Sequence, residues 1–346
     1  MTIRKPTLHD VARTAGLSYA TVDRVLNGRG GVAQKSVQRV RQAVDLLGYQ
    51  RDELAAMLSR RRSYRFRFHL PAGDHGFYRA LRAAVDAEAL ARRGERVEIV
   101  VTESPALDAD ALAEGLEALE HGDCHGVAVV AVDTPRVTRA IARLTELGIP
   151  VVTLVSDAGG RAAHVGIDNL VAGRTAGRLV EIAHRGRGGR VLPVIGALTQ
   201  TDHRDRLSGA TEVLAGGGIE VLPALTVQDR GDLMAAMAGK ALAATPGVSG
   251  IYSIGAGNRG LIPVLAGLGE RRPFVVLHEL TPFTRAALGE GLIDAVIDQN
   301  PRREVALGLD AMKAIADGRT GGALTVTPAI YLRDNLPPEA ASGGTT

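Results

Sequence analysis

Tryptophan is missing from these 346 residues, and cysteine nearly so: Cys124 stands alone. One thiol excludes an internal disulfide and a cysteine metal cluster, and it suits a reducing compartment. The nine histidines are scattered, without the H-E-x-x-H spacing that sets two imidazoles on one helical face, so a zinc site has no support. Phe, Tyr and Trp together make up 3%. So few flat side chains disfavour a purine ligand, which needs surfaces to stack on. No apolar run approaches the roughly 20 residues of a membrane span, and the opening MTIRKPTLHD holds no hydrophobic stretch that would serve as an export signal. The expectation is a cytoplasmic protein without membrane contact. No nucleophile stands beside a base, so no catalytic residue, metal or cofactor is assigned and an enzyme is not expected.

What is present divides unevenly. The length allows two or three domains, each with a core of its own. Residues 1–67 hold 14 Lys and Arg against 5 Asp and Glu, so this end carries +9 while the rest carries −6. Such a basic end is the electrostatic footprint of a nucleic-acid contact, because phosphates need cationic partners.

Within it lies TLHDVARTAGLSYATVDRVLN, Thr7 to Asn27. Thr7 with Asp10 reads as a helix cap, and Leu8, Val11, Ala12 and Ala15 fall on one helical face. Gly16 stops that helix. Leu17 fills the corner, Ser18 caps a second helix, and Val22, Val25 and Leu26 give it a buried side. Tyr19, Ala20, Asp23 and Arg24 are left facing outward. Two short helices across a Gly-containing turn make a helix-turn-helix, whose second helix reads the DNA major groove. After GRGGV, Gln34 to Leu47 is expected as a third helix with Val37, Val40, Val44 and Leu47 inward.

The run T-L-x-D-V-A-x-x-A-G-x-S-x-x-T-V-x-R-V-L-N resembles the amino terminus of the LacI/GalR family of transcriptional regulators. The resemblance implies base reading by Tyr19, Ala20 and Arg24, and phosphate contacts from Thr21, Asn27 and Ser36. Arg24 can present its fork to guanine, whereas Ala20 offers only a methyl group. Asp23 departs from the family, which commonly has Ser there, as does Ala33, which cannot cap the third helix where Ser or Thr is usual. Glu53–Ser59 and the three arginines after it correspond to the hinge helix, with Leu54, Ala55 and Leu58 on the minor groove at the operator centre and Leu58 wedged between base steps. An ordinary linker with a basic tail is the other reading of that stretch.

From Tyr64 the pattern changes. Strands are expected at Arg65–Leu70, Val97–Val101, Gly126–Val132, Val151–Val155, Val191–Ile195, Gly250–Ile254, Phe274–Leu277 and Ala295–Asp298, with Val326–Leu332 as a late strand returning to the second lobe. Helical stretches such as Phe77–Arg93, Asp108–Glu120, Thr134–Leu147, Leu170–Arg185, Arg204–Ala215 and Pro301–Asp317 separate them. Apolar strands spaced by amphipathic helices argue for parallel, doubly wound α/β sheets. The resemblance makes this region a two-lobed, periplasmic-binding-protein-like core of type I. The expected division is a helix-turn-helix head at 1–50, a hinge at 51–63, an effector-binding and dimerisation core at 64–336, and a disordered tail at 337–346. That tail lacks leucine heptads, so a homodimer on a palindromic operator is the expected assembly.

Ligands of doubly wound sheets sit beyond the carboxyl ends of strands. That rule selects Asp74, His75, Phe77, Tyr78, Asp133, Asp157, Asn258 and Glu279. By resemblance Arg204 and Gln299 join them, Arg204 because it stands five residues before Gly209. Paired donors and acceptors with an aromatic face suit a small sugar or cyclitol as the effector. Gly255-Ala-Gly257-Asn-Arg-Gly260, with Glu279 further on, also satisfies a dinucleotide fingerprint, so an NAD-dependent sugar or polyol oxidoreductase is the alternative. A secreted solute-binding protein is a third reading.

Overall fold

The computed structural model describes residues 6–26, 31–49, 63–73, 76–255, 257–321 and 323–338. These fall into two compact units divided between Arg62 and Ser63. In the first unit, α1 (Leu8–Ala15), α2 (Tyr19–Leu26) and α3 (Gln34–Leu47) close on Val11, Ala12, Ala15, Val22, Val40 and Ala43, with Leu8, Leu17, Val25, Leu26, Val44 and Leu47 packed against them. Thr7 and Asp10 form the expected capping box, the Thr7 N–H donating to the Asp10 carboxylate at 2.8 Å. Gly16 ends α1 at φ 60°, in the left-handed region, and a side chain there would strike the Arg39 guanidinium. Ser18 Oγ accepts from the Thr21 N–H at 3.2 Å at the start of α2. As its sequence implies, Ala33 gives α3 no side-chain cap.

The second unit opens with β1 (Tyr64–Ala72), α4 (Gly76–Ala91), β2 (Val97–Pro105), α5 (Ala109–Glu117), β3 (Val127–Val129), α6 (Pro135–Glu146), β4 (Val151–Leu154) and β5 (Ala163–Ile167). Next come α7 (Asn169–His184), β6 (Gly189–Ile195), α8 (Thr201–Gly216), β7 (Ile219–Val221), β8 (Leu225–Thr226), α9 (Gly231–Ala244) and β9 (Gly250–Ser253). The series continues through α10 (Asn258–Leu268), β10 (Phe274–His278), α11 (Pro282–Gly289) and β11 (Ala295–Asp298), and closes with α12 (Pro301–Ala316), β12 (Ala323–Val326) and β13 (Ala329–Tyr331).

Two sheets result, one per lobe. The first runs β12-β5-β4-β3-β1-β2 and is parallel throughout; the second runs β13-β11-β10-β9-β6-β7, with β8 beside β6. β3 and β4 are buried at every position, as strands covered by helices on both faces must be. Asp108, Thr134, Asp168 and Thr281 each cap the helix that follows them, which fixes where α5, α6, α7 and α11 start.

The chain passes between the lobes three times: after β5, after β11 and after β12. The expected late strand at Val326–Leu332 is in fact two. Thr327 and Pro328 interrupt it, and Pro has no N–H for a ladder; β12 joins the first lobe beside β5, while β13 lies antiparallel to β11 in the second. β5, β7 and β8 were not anticipated. Pro337, placed by sequence in the tail, accepts a hydrogen bond from Arg285; residues 339–346 lie outside the described residues.

One contact fixes the geometry of the site. α7 and α8 approach so closely that a Cβ at Gly173 would lie 2.1 Å from the Arg206 carbonyl oxygen, and one at Gly209 would lie 2.2 Å from that of Leu170. Glycine at both positions lets the backbones touch, and this holds α8 where its first turn faces the other lobe.

Candidate functional site

In the helical head, Tyr19, Ala20 and Arg24 are exposed on α2, and Thr21 and Ser36 are half-buried. The Tyr19 ring rests 4.7 Å from that of His9, so α1 sets its direction. Thr21 Oγ1 lies 2.8 Å from Ser18 Oγ, so this hydroxyl also takes part in the helix start. Asn27, Leu54, Ala55, Leu58, Asp74 and His75 lie outside the described residues.

Between the lobes of the core, a cavity is lined by Phe77, Tyr78, Val130, Val155 and Ser156 from the first lobe. Gln200, Asp202, His203, Arg206, Asp229, Gly255 and Glu279 face them from the second, with Gln299 from the β11 crossover. Arg206 is at its floor, 2% exposed. Its Nε donates to Asn169 Oδ1 at 2.8 Å, Nη1 to the Ile254 carbonyl at 3.1 Å and Nη2 to Gln299 Oε1 at 3.2 Å. Gln299 in turn donates to Glu279 Oε1 at 2.6 Å, which stands 3.8 Å from Arg206 Nη1.

Glu279 adopts φ 74°, a left-handed conformation that costs a residue with a side chain about 1 kcal/mol or more. Its carbonyl accepts from Thr284 Oγ1 at 2.7 Å and its N–H donates to the Ile297 carbonyl at 3.0 Å, so the turn is held from both sides. Burial pushes its carboxyl up to about 8, against the pull of Arg206. Asp202 goes the other way: burial opposes its charge, but His203 and Arg206 outweigh that and hold it below the ordinary carboxylate range. Burial also raises the Tyr78 phenol, which keeps it neutral. Among the described residues, Gln200 Oε1 and Glu279 Oε2 of this lining are buried without a hydrogen-bond partner, and so are Ser156 Oγ and Asp202 Oδ1 at ordinary hydrogen-bond geometry, although the Ser156 hydroxyl is near enough to help hold Asp202 ionised.

Of the residues singled out from sequence, the fold brings Phe77, Tyr78, Glu279 and Gln299 together on this cavity. Asn258 is buried next to it, spending its amide on Ser253, Gly255 and His278. Asp157 turns into its own loop, accepting from Thr153 and the Ala158 N–H and pairing with Arg161 at 2.6 Å. Asp133 and Arg204 are outside the lining and pair with each other. Asp202 and His203, which the strand-end rule does not select, are buried in the first turn of α8.

The glycines of the dinucleotide-like motif have packing duties. Gly257 sits at φ 88° at the start of α10, and a Cβ at Gly260 would fall 1.8 Å from the Gly231 carbonyl oxygen. At Gly255 it would meet the His203 ring at 2.9 Å. Among the described residues no helix is long and apolar enough to cross a membrane, and no His, Cys, Asp and Glu group is placed to hold a metal.

Residues 7–52 match the family model of bacterial regulatory proteins, lacI family, and residues 66–320 that of the periplasmic binding protein domain. The chain belongs to the lacI family of bacterial regulatory proteins. Its core belongs to the periplasmic binding protein domain family, the fold expected from the sequence. An uncharacterized HTH-type transcriptional regulator in the aml 5' region of Streptomyces limosus is 32% identical over 215 residues, 61% of this chain and 58% of that protein. The HTH-type transcriptional regulator CelR of Thermobifida fusca is 29% identical over 231 residues, 63% of each. The chain thus spans less than two thirds of the length of these curated relatives. A solute-binding protein from Burkholderia graminis, solved in complex with D-arabinose, shares the fold of the core at a TM-score of 0.73 and 21% identity, over 79% of this chain and 96% of that one.

In this lacI-family core the arginine on the cavity is therefore Arg206, two residues beyond the one the Gly209 spacing selects. A signal for it exists in the sequence: Arg206 lies on one helical stripe with Ala210 and Leu214, both buried, and Arg204 does not. A helix started at Thr201 would have carried that stripe back to Asp202 and His203.

Proposed function

We propose that this chain is a dimeric, cytoplasmic transcriptional repressor that reads a palindromic operator through α2 and releases it when a small sugar or cyclitol closes the two lobes of its core. The observation that carries the reading is the pairing, on one chain, of a helix-turn-helix head with a cavity lined from both lobes. Tyr19, Ala20 and Arg24 are exposed on that head, while Phe77, Tyr78, Glu279, Gln299 and Arg206 line the cavity. Aromatic rings on one side and carboxyl, amide and guanidinium groups on the other suit a polyol ring, whose faces are apolar and whose rim is hydroxyl. Thr21, Asn27 and Ser36 supply phosphate contacts, and Leu54, Ala55 and Leu58 the paired hinge in the minor groove. The family relatives above are named as regulators, and we assign the chain no reaction.

Coupling between the two sites must be reciprocal. The test is to titrate fluorescent palindromic duplexes, selected from a random library, at near-physiological salt, with and without a panel of monosaccharides and cyclitols. The reading expects a ligand that shifts operator affinity, and a saturating operator that shifts the ligand's affinity by the same factor. Absence of any preference for a selected duplex over bulk DNA, under all ligand conditions, would remove it.

A further inference from the structure

We infer that the ligand of the inter-lobe cavity carries a protonated amine, as an amino sugar or aminocyclitol does, and is neither a neutral sugar nor a sugar phosphate. The inference rests on the reading of this cavity as the effector site and names the ligand's chemistry. Three lining residues bear carboxyl groups, Asp202, Asp229 and Glu279, and among the described lining residues Arg206 bears the only guanidinium or ammonium group. That guanidinium is already turned to Asn169, the Ile254 carbonyl and Gln299, with Glu279 close by, so its charge is answered from within the protein. A phosphate on this lining would face the Asp202 and Asp229 carboxyl groups beside a guanidinium that is already engaged, and Arg259 of the adjoining opening is held over the Phe283 ring.

The unpaired atoms point the same way. Asp202 Oδ1, Glu279 Oε2 and Gln200 Oε1 are oxygens on side chains more than nine-tenths buried, and Ser156 Oγ is the hydroxyl among them. A hydroxyl has one proton to give. The Ser156 proton turns to Asp202 and cannot also serve Gln200 Oε1, and Glu279 Oε2, protonated in the free protein, becomes a further acceptor once a cation ionises it, so the bound site is short of donors. An ammonium group brings three donors and a positive charge, and it is also drawn to the aromatic faces of Phe77 and Tyr78 across the cavity. Burial holds the free Glu279 carboxyl near neutrality, and an incoming cation supplies the counter-charge that favours its ionised form.

The experiment is isothermal calorimetry and thermal shift on the full chain with matched sets: D-glucose, D-glucosamine and D-glucose 6-phosphate; the galactose set; and myo-inositol with an amino-inositol. The expected result is one set in which the amine binds at least about tenfold tighter than its neutral partner, a difference of about 1.4 kcal/mol, with no binding by the phosphates. In Glu279→Gln, checked as folded by its melting transition, that advantage should fall below about threefold. A neutral or phosphorylated member binding as tightly as or tighter than its amine would overturn the inference while leaving a sugar receptor in place. No response to any member would sink both. An amine advantage that survived in both Glu279→Gln and Asp202→Asn, each folded, would also overturn it, because the charge would then be read elsewhere.

Discussion

Arg204 Nη2 stands 3.7 Å from Asp133 Oδ2, and the two residues belong to different lobes. Thr201 Oγ1 adds a hydrogen bond to the same carboxylate at 3.3 Å, so the end of the first lobe's β3 segment is clasped by the first turn of α8. Arg204 is steadied by the Leu198 carbonyl at 2.7 Å. Both charged side chains are 43% exposed, so the clasp is a surface pair, and such pairs contribute about 0.2–1 kcal/mol. Asp133→Ala should therefore weaken ligand binding by no more than about fivefold, through looser closure, and the loss should shrink further in high salt. Arg206→Met, which removes the buried guanidinium and strands Gln299 and Glu279, should lower the ligand response far more. Calorimetry on the two variants separates them; equal losses would mean that the ligand touches Asp133 directly.

The close approach of α7 and α8 gives a stability prediction. Gly173→Ala places a methyl group 2.1 Å from the Arg206 carbonyl oxygen, and backbone cannot yield there as a flexible side chain would. Forcing extra volume into a packed contact costs about 1–3 kcal/mol, occasionally more. Gly239→Ala, on α9 with no heavy atom within 4 Å of the added group, is the control and should be neutral or slightly stabilising. Urea unfolding followed by circular dichroism would show it, and equal midpoints for the two variants would contradict the packing argument.

Local rules reached far into this fold, and their failures have physical causes. Thr7, Asp10 and Gly16 act within a few residues of themselves, so cap and turn were legible. Strands made of Val, Ile and Leu were also legible, whereas β5 was hidden by His164 and Gly166, which break the apolar run without breaking the ladder. The two-sheet destiny of 326–332 depends on Pro328 and on which edge each half meets, which no local pattern encodes. At the cavity, strand ends select Phe77, Tyr78 and Glu279, which the fold places on the lining. Asp202, His203 and Arg206 come instead from a helix that starts at Thr201, three residues before the expected Arg204, so the expected bounds cut the buried stripe at its start.

A pH prediction follows from buried carboxyls. Glu304 has zero exposure and neither of its oxygens has a hydrogen-bond partner among the described residues; burial first, then the neighbouring Glu279, raise it well above its ordinary 4.5. Glu279 is raised to about 8. In both cases the folded state keeps a proton that the unfolded chain gives up above pH 4.5. The stabilising contribution is therefore complete below that pH and is lost as pH rises toward and through the folded values, by at most about 1.4 kcal/mol per unit for each group. Asp202 acts oppositely, but its loss belongs below pH 4. Melting measured from pH 5 to 8.5 should decline, and Glu304→Gln, which cannot ionise, should show a shallower decline and its largest gain at the alkaline end. Parallel curves for the two proteins would refute the assignment.

The head offers the sharpest separation between structure and recognition. Thr7→Ala removes the side-chain half of the capping box, the Thr7 hydroxyl that accepts from the Asp10 N–H and donates to its carboxylate, and leaves the backbone N–H of residue 7 on Asp10, a loss worth about 0.5–2 kcal/mol. It alters no group on the exposed face of α2, so operator and non-operator duplexes should weaken by the same factor while sequence choice is kept, and amide exchange in α1 should speed up. Arg24→Ala leaves the helical core untouched, since its side chain is exposed. If that side chain reads a guanine, it should forfeit about 1–3 kcal/mol at one base pair and accept other bases there. Selection of bound duplexes from a randomised library, sequenced for wild type and both variants at one fixed salt concentration, reads the two effects apart. A wild-type sequence preference retained by Arg24→Ala would mean that this arginine contacts only phosphate, and base reading would then fall to Tyr19 and Ala20.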